Sequence, residues 1–260
     1  MVTPRTRAGG RSVYSRAHEG VTVDVAVGVS QHTIMVPTAP EALIAAIRAN
    51  DRLAIERLLA EDSARIDMRG PGGESLVLYA CYAGAPDLSP AFLRGRALDA
   101  CEAAALGDVQ ALRTAIENDD DARVRRSSDG WTPLHLACFF GRDDAVALLI
   151  DHGAPLDAHS TNATRNAPLH AALAGAAKSS VVRRLVFAGA DVEARGAQNI
   201  TPLHLAASRG DGALCDLLIS RGADPHALME DGTTPAMLAT ARGFPELGAK
   251  LANTEQLENS

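Results

Sequence analysis

The chain has 260 residues, of which 47% are hydrophobic and 22% charged, and its formal net charge is -7. These values exclude a collagen-like chain and a wholly disordered one. The acidic balance gives no chain-wide attraction for nucleic acid or an anionic membrane, and no stretch approaches the ~20 apolar residues that span a bilayer. We therefore expect neither as a partner. Only 3% of the residues are aromatic, so the core must be aliphatic, which suits closely packed helices and argues against a β-sandwich.

Residues 1–38 differ in composition from the rest and predict a flexible N-terminal arm. Its arginines outnumber its acidic residues, and two adjacent glycines add flexibility. Within the arm, residues 21–29 alternate valine with other residue types, which is the pattern of one short strand. The recurring pattern of the chain begins just after Met35, so we take Met35 as a hypothetical natural start.

One sequence frame recurs from residue 129 onward. It reads DGWTPLHLACFFGRDDAVALLIDHGAPLDA, then APLHAALAGAAKSSVVRRLVFAGADVEA, then TPLHLAASRGDGALCDLLISRGADPHA, and fades in DGTTPAMLATARGFPELGAKL. The prolines Pro133, Pro168, Pro202 and Pro235 follow one another at intervals of 35, 34 and 33 residues. A fixed period of this length is the signature of a stacked repeat architecture.

The frame continues upstream in degenerate form, which brings the predicted number of units to about seven, the first two or three being degenerate. The segment from Tyr79 to Gly84 aligns with that from Leu136 to Gly141, and Gly107 lies 34 residues before Gly141. The predicted units are residues 39–70, 72–96, 97–127, 128–160, 163–196, 197–229 and 230–251, together a repeat domain of 39–251, followed by a polar tail at 252–260.

The second unit is predicted to be short. Only 23 residues separate Gly84 from Gly107, so we expect this unit to lack its hairpin. Its outer helix, near residues 87–93, would then run almost directly into the next inner helix. Alignment on the glycines also puts Cys101 at the position of His135.

Each full unit has the residues of two short helices and a turn. Thr132 and Thr201 are N-cap residues, and the proline that follows each takes the first helical position, where an amide would be unpaired anyway. A glycine ends each helix, and Asp-Gly or Asn marks a tight turn. Because such a unit buries its apolar face only by stacking on neighbours, the sequence predicts an all-α repeat solenoid of helix-turn-helix units with a β-hairpin or loop.

The TPLHLA and GADV-type runs resemble the ankyrin repeat family, closely over residues 129–251 and in degenerate form over 39–126. The resemblance implies a stack whose concave side, made of hairpin tips and inner helices, binds protein partners. In that family the residues just before Thr-Pro, and the two before the glycine that ends the first helix, face the groove. The corresponding candidates are Trp131, Phe139, Phe140, Asn166, Gln198, Ile200, Ser208, Arg209, Glu230, Thr233 and Arg242.

Two alternatives to this groove remain at the sequence level. Phe139 and Phe140 could instead pack against Leu106, and Trp131 is the strongest groove candidate because tryptophan is enriched at binding hot spots. A set of arginines could contact phosphate or an acidic partner, although such a set on an acidic chain is more often solvated surface. This set comprises Arg123, Arg125, Arg126, Arg183, Arg184 and Arg195.

No catalytic, metal-binding or cofactor-binding residue is predicted. His135, His170 and His204 recur in register, but equivalent residues of neighbouring repeats lie about 10 Å apart, too far to share a metal ion. The resemblance implies that this histidine braces the turn by hydrogen bonding. No motif for nucleophilic, zinc or phosphate chemistry occurs. The cysteines Cys81, Cys101, Cys138 and Cys215 lie far apart, which favours reduced thiols in the cytoplasm.

The sequence thus favours a non-enzymatic, monomeric protein that binds another protein as an adaptor, inhibitor or regulatory subunit. An immunity or antitoxin-like partner that neutralises a neighbouring enzyme would share the same pattern. A regulatory chain associated with an enzyme is a further alternative.

Overall fold

The computed structural model describes residues 39–175 and 177–254. The predicted arm, its strand at 21–29, the hypothetical start at Met35 and most of the polar tail lie outside these residues. Within the described ranges the chain is helical and contains no β-strand, and an isolated bridge joins Arg69 to Ser75.

In the described residues, thirteen α-helices and one 3-10 helix form seven consecutive pairs in chain order, each with an inner and an outer member. In the second pair the outer member is a 3-10 helix, Pro86–Phe92. The unit boundaries drawn from the sequence stay a prediction. The α-helices are α1 (Ala39–Arg48), α2 (Arg52–Glu61), α3 (Leu76–Tyr82), α4 (Ala100–Leu106), α5 (Val109–Asn118), α6 (Pro133–Phe139), α7 (Asp143–Asp151), α8 (Pro168–Ala174), α9 (Ser179–Phe187), α10 (Pro202–Ser208), α11 (Gly212–Ser220), α12 (Pro235–Ala241) and α13 (Pro245–Ala252).

The inner helices begin at the residues that the sequence indicates. Thr132 and Thr201 precede α6 and α10, and their hydroxyls accept hydrogen bonds from the backbone N–H of His135 (3.5 Å) and His204 (3.4 Å). Such a cap satisfies one of the amides left unpaired at a helix start. Helix α8 follows Ala167, which has no hydroxyl to offer.

Helix α4 corrects the expected position of Cys101. Its N-cap is Asp99, whose side chain accepts from Glu102 N (2.8 Å), while the Glu102 carboxylate accepts from Asp99 N (3.2 Å). Glu102, and not Cys101, therefore occupies the third helical position that His135 holds in α6. The alignment on glycines was wrong by one residue because α4 runs directly up to Gly107, whereas Phe140 lies between the end of α6 and Gly141.

The second unit has an unusually short connection to the third. Seven residues, 93–99, separate the 3-10 helix from α4. Fourteen residues separate the preceding outer helix from α3 (62–75), from α6 (119–132), from α10 (188–201) and from α12 (221–234). No room is left in 93–99 for the excursion that the other units make, as the sequence predicts.

Two clusters of buried apolar side chains form the interior. The first lies among α1, α2, α3 and the 3-10 helix, and the second runs from Leu78 and Cys81 of α3 to α13. Leu98 and Leu106 pack against both clusters. Fully buried members of the first are Leu43, Ile47 and Ile55, and of the second Leu112, Leu134, Leu136, Leu149, Leu169, Leu185, Leu203 and Leu214. The described chain is an all-α repeat solenoid.

Candidate functional site

The eleven residues predicted to face a groove differ in their exposure. Trp131 and Asn166 are buried, each only 4% exposed. The half-buried residues are Phe139, Phe140, Ile200, Ser208 and Thr233, and the exposed ones are Gln198, Arg209, Glu230 and Arg242.

The burial of Trp131 corrects its prediction as a surface contact. Its ring packs edge-on against Phe139, with 5.1 Å between ring centroids, and lies 5.8 Å from the ring of His135. The indole N–H is buried without a hydrogen-bond acceptor among the described residues. A side chain this enclosed supports its neighbours from below and does not present itself to a partner.

Three predicted residues contribute through their backbone. The Nε2 atoms of His135, His170 and His204 lie 2.8, 3.0 and 3.1 Å from carbonyl oxygens in the following unit. Those oxygens belong to Asn166, Ile200 and Thr233. The bracing role that the family resemblance implies for these histidines is therefore confirmed.

The histidine network requires neutral rings. In each ring Nδ1 accepts a hydrogen bond from the backbone N–H of the helix N-cap residue at 3.3 Å, so the proton lies on Nε2. Burial lowers the pKa of His135 and of His170 to about 4, although the carbonyl acceptors raise it in part. Burial likewise lowers the pKa of His204.

Arg209 is exposed, but its guanidinium is engaged. It donates to the carbonyl oxygens of Leu173 (2.8 Å) and Ala177 (3.3 Å) at the end of the preceding inner helix. Arg142 makes a similar contact two units earlier, from Nε to the carbonyl oxygen of Ala105 (2.9 Å). Arg209 therefore joins two units, a role that the sequence analysis did not assign to it or to Arg142.

An aromatic cluster forms the surface part of the candidate site. We use this name for Tyr82, Phe139 and Phe140 together with Trp131 beneath them. The Tyr82 ring lies 5.3 Å from that of Phe140 and 6.2 Å from that of Phe139, and the two phenylalanine rings are 5.2 Å apart, edge to face. The Tyr82 hydroxyl donates to the Asp129 carboxylate. The pKa of Tyr82 is raised, first by burial and then by the negative charge of Asp129.

Tyr82 is the residue that sequence reasoning missed. It stands two residues before Gly84, as Phe139 stands two before Gly141, so the alignment of these segments contained the signal. Helix α4 lies between the units of Tyr82 and Phe139 in chain order, and most of its residues are alanine. These short side chains leave room for Tyr82 to reach Phe139 and Phe140.

Other chemistry is sparse in the described part of the chain. The four cysteines are buried and unpaired, and burial raises the pKa of the Cys81 thiol to about 11. No group of three or more His, Cys, Asp or Glu side chains in residues 39–175 and 177–254 is placed to hold a metal ion. None of the helices described is long and apolar enough to cross a bilayer.

Comparison with known proteins gives several partial matches. The chain is 37% identical over 111 residues to mouse ankyrin repeat and SOCS box protein 16, covering 40% of this chain and 24% of that protein. It is 39% identical over 122 residues to a putative ankyrin repeat-containing protein of Treponema pallidum, covering 47% and 38%. It is 33% identical over 144 residues to the mouse B-cell lymphoma 3 protein homolog, covering 55% and 32%. The chain thus spans less than half the length of each of these relatives.

A family profile gives the broader assignment. The profile described as ankyrin repeats (3 copies) matches residues 100–195 and 169–258, which together exceed half of the chain. The matched residues begin at the first residue of α4 and include the four TPLH-type helices, the histidine braces and most of the second core cluster. The chain belongs to the ankyrin repeat family.

Proposed function

We propose that this chain, a protein-interaction repeat module by family, binds its partner protein through the aromatic cluster and the exposed predicted residues beside it. In this role it acts stoichiometrically as an adaptor, inhibitor or regulatory subunit. The single observation that carries the proposal is the contact of Tyr82 with Phe139 and Phe140, from two units, with Phe139 packed on the buried Trp131.

The geometry of the cluster supports this proposal. Tyr82 is 37% exposed, and its hydroxyl is tied to Asp129, so its ring is oriented before any partner arrives. Phe139 is held edge-on by Trp131. Side chains that are already ordered lose little conformational entropy on binding, and aromatic residues are enriched among those that dominate binding energy. Gln198, Glu230 and Arg242, which are exposed, would supply polar contacts on later units.

A comparison of three forms of the chain tests the proposal. The tagged wild-type chain is used to capture partners from native lysate, and each partner is identified by mass spectrometry. Each purified partner is then titrated against the chain by calorimetry. A Tyr82→Ala, Phe140→Ala double variant should bind at least about tenfold more weakly, because losing one hot-spot contact commonly costs more than 1 kcal/mol. The matched control is Phe187→Ala, since Phe187 is a 63% exposed aromatic residue on α9. Equal affinity of the double variant and the wild type would refute the proposal.

The compartment and the oligomeric state are part of the same proposal. Four unpaired, buried cysteines support a reducing environment such as the cytoplasm. A monomer is proposed because the partner is expected to take the aromatic cluster. Light scattering coupled to gel filtration should give a mass near 27.1 kDa.

A further inference from the structure

A cavity of about 600 Å³ lies between the units on the N-terminal side of the stack. Its walls come from the loop before α3, the start of α4, the end of α5 and the loop before α6. It shares no residue with the aromatic cluster. Its polar lining residues are Arg69, Ser75, Asp99, Cys101, Asp119, Arg125, Arg126, Ser127 and Ser128.

The short second unit accounts for the cavity. The connection 93–99 is half as long as its counterparts, so no excursion from it lies between the loop before α3 and the loop before α6. Those two loops come together instead, and a Cβ atom placed on Gly73 would lie 3.8 Å from the Ser128 Cβ. The cavity lies next to this contact and is lined by both loops.

The charged side chains on the cavity wall differ in how many hydrogen bonds and ion pairs they make within the chain. Arg125 pairs with Asp119 at 2.6 Å, and Asp99 accepts the N–H of Glu102 as the cap of α4. Arg126 gives one hydrogen bond, from Nη1 to the carbonyl oxygen of Gly130 (2.9 Å). The side chain of Arg69 has no hydrogen bond or ion pair with any described residue.

The unengaged groups on the wall are therefore hydrogen-bond donors with positive charge. Most N–H groups of Arg69 and Arg126 remain available, and Ser128 lies on the same lining. Planar guanidinium groups bind phosphate oxygens in a two-pronged fashion, and charge-assisted hydrogen bonds are about twice as strong as neutral ones. A dianion with three or more oxygen acceptors satisfies these donors better than a single carboxylate does.

We propose that this cavity is a binding site for a phosphate monoester, supplied either as a free small anion or as a phosphorylated serine or threonine of a partner. Arg69 and Arg126 provide the charge, and Ser128 provides a hydroxyl. The site stands independently of the aromatic cluster, so either proposal can fail alone.

Calorimetric titration of the full chain with four probes tests the site. The probes are inorganic phosphate, acetate, a glycine–alanine peptide with one phosphoserine, and the same peptide with serine. We expect phosphate or the phosphopeptide to bind, acetate and the serine peptide to bind at least about tenfold more weakly, and affinity to fall with added salt because exposed charges are screened. Tighter binding of the phosphopeptide identifies a partner side chain as the source, and equal or tighter binding of phosphate identifies a small anion.

Three variants separate the site from general surface charge. Arg69→Gln and Arg126→Gln should each weaken binding about tenfold, through loss of a charge-assisted contact. Arg123→Gln is the control, since Arg123 lies on the same loop but not on the cavity wall. Arg69→Gln removes no hydrogen bond or ion pair within the described residues, so we expect its thermal unfolding to match that of the wild type. The absence of phosphate or phosphopeptide binding, equal binding of acetate, or equal loss in Arg123→Gln would overturn the proposal.

Discussion

At the scale of single residues, the three buried histidines do more than cap helices. Each ring joins the N-cap of its own inner helix to a carbonyl of the next unit, so one side chain makes one hydrogen bond within its unit and one across the boundary. Where α4 has Glu102 instead, the carboxylate can accept but cannot donate. It pairs with Arg96 at 2.7 Å, and the Cys101 thiol points toward the Trp131 carbonyl at 4.0 Å. The boundary between the third and fourth units therefore lacks a histidine brace.

These histidines make stability depend on pH. Their pKa in the folded chain lies below the unfolded value of about 6.5, so the unfolded chain binds more protons as pH falls. The stabilisation is complete above about pH 6.5 and is lost as pH falls toward about 4, by about 3 kcal/mol each for His135 and His170. Urea unfolding between about pH 7.5 and 4.5 should show this slope.

Two substitutions distinguish the contribution of the buried histidines to the pH dependence of stability from that of other titrating groups. His170→Gln should flatten the dependence of unfolding free energy on pH, because one titrating group with a shifted pKa is removed. His152→Gln, at the half-buried C-cap of α7, should retain the wild-type slope. Identical slopes in His170→Gln and wild type would contradict this account.

The burial of Trp131 determines how its replacement should affect stability. As a groove residue it should be removable at little cost to stability, whereas a tryptophan that is 4% exposed leaves a large cavity. We expect Trp131→Ala to lower the unfolding free energy by about 3 to 5 kcal/mol. Leu53→Ala, at a side chain 78% exposed, should change it by less than about 0.5 kcal/mol. Denaturant titration measures both, and a stable Trp131→Ala would contradict the packing role.

Sequence reasoning located the site region better than it ranked the residues within it. Repeat register identifies which residue precedes Thr-Pro, but burial depends on what neighbouring units offer. Trp131 is enclosed because α4 is built of small residues and Phe139 folds over it. Arg209 has a long charged side chain of the kind expected in a binding groove, yet its guanidinium donates to a carbonyl oxygen of the preceding unit. Neither contact has a signal within a single repeat.

At the scale of elements, the start of α8 lacks the side-chain cap that the equivalent helices α6 and α10 have. Ala167 has φ -84° and ψ 165°, close to -80° and 164° for Thr132, but it lacks the hydroxyl that caps the helix. Ala167→Thr should therefore add a hydrogen bond to His170 N and raise stability by about 1 kcal/mol. The control Ala167→Val has the same shape without the oxygen and should not stabilise. Thermal unfolding distinguishes the two, and a destabilised Ala167→Thr would show that the buried site does not accept the added atoms.

The corrected register of α4 shows which sequence signals fix an element. Asp99 and Glu102 form a reciprocal cap, and this pair determines where α4 begins. Gly107 determines where it ends, with a left-handed φ of 78°. Counting back from the glycine alone assumes that every inner helix ends at the same distance from its glycine, but α4 ends directly at Gly107 whereas one residue lies between α6 and Gly141. Both ends of a short helix are needed to assign the positions between them.

At the scale of the whole molecule, the two core clusters should respond separately to damage. Repeat stacks gain stability from each unit and from each interface between neighbours. Ile47→Ala removes a fully buried side chain from the first cluster, and Leu203→Ala removes one from the second, each costing about 2 to 5 kcal/mol. Hydrogen exchange should accelerate mainly in residues 39–98 for the former and mainly in α8 to α12 for the latter. Uniform acceleration in both variants would instead indicate a single cooperative unit.

Most of the architecture was readable from the sequence because the fold is local. Period, caps and helix-ending glycines all lie within one unit, so Pro202 and Thr201 locate α10 without knowledge of distant residues. The short second unit was also visible, as the reduced spacing between Gly84 and Gly107. The cavity was not, because it depends on how the loops before α3 and α6 approach each other across the missing excursion.

The seven-residue connection at 93–99 has one more consequence. Chains of near-identical units can mispair during folding, because each helix pair fits against several others almost equally well. Here the connection between the second and third units is half the usual length. In a stack shifted by one unit, these seven residues would have to join helices that a fourteen-residue connection normally joins. The short connection therefore favours the native order of packed units over any arrangement shifted by one unit.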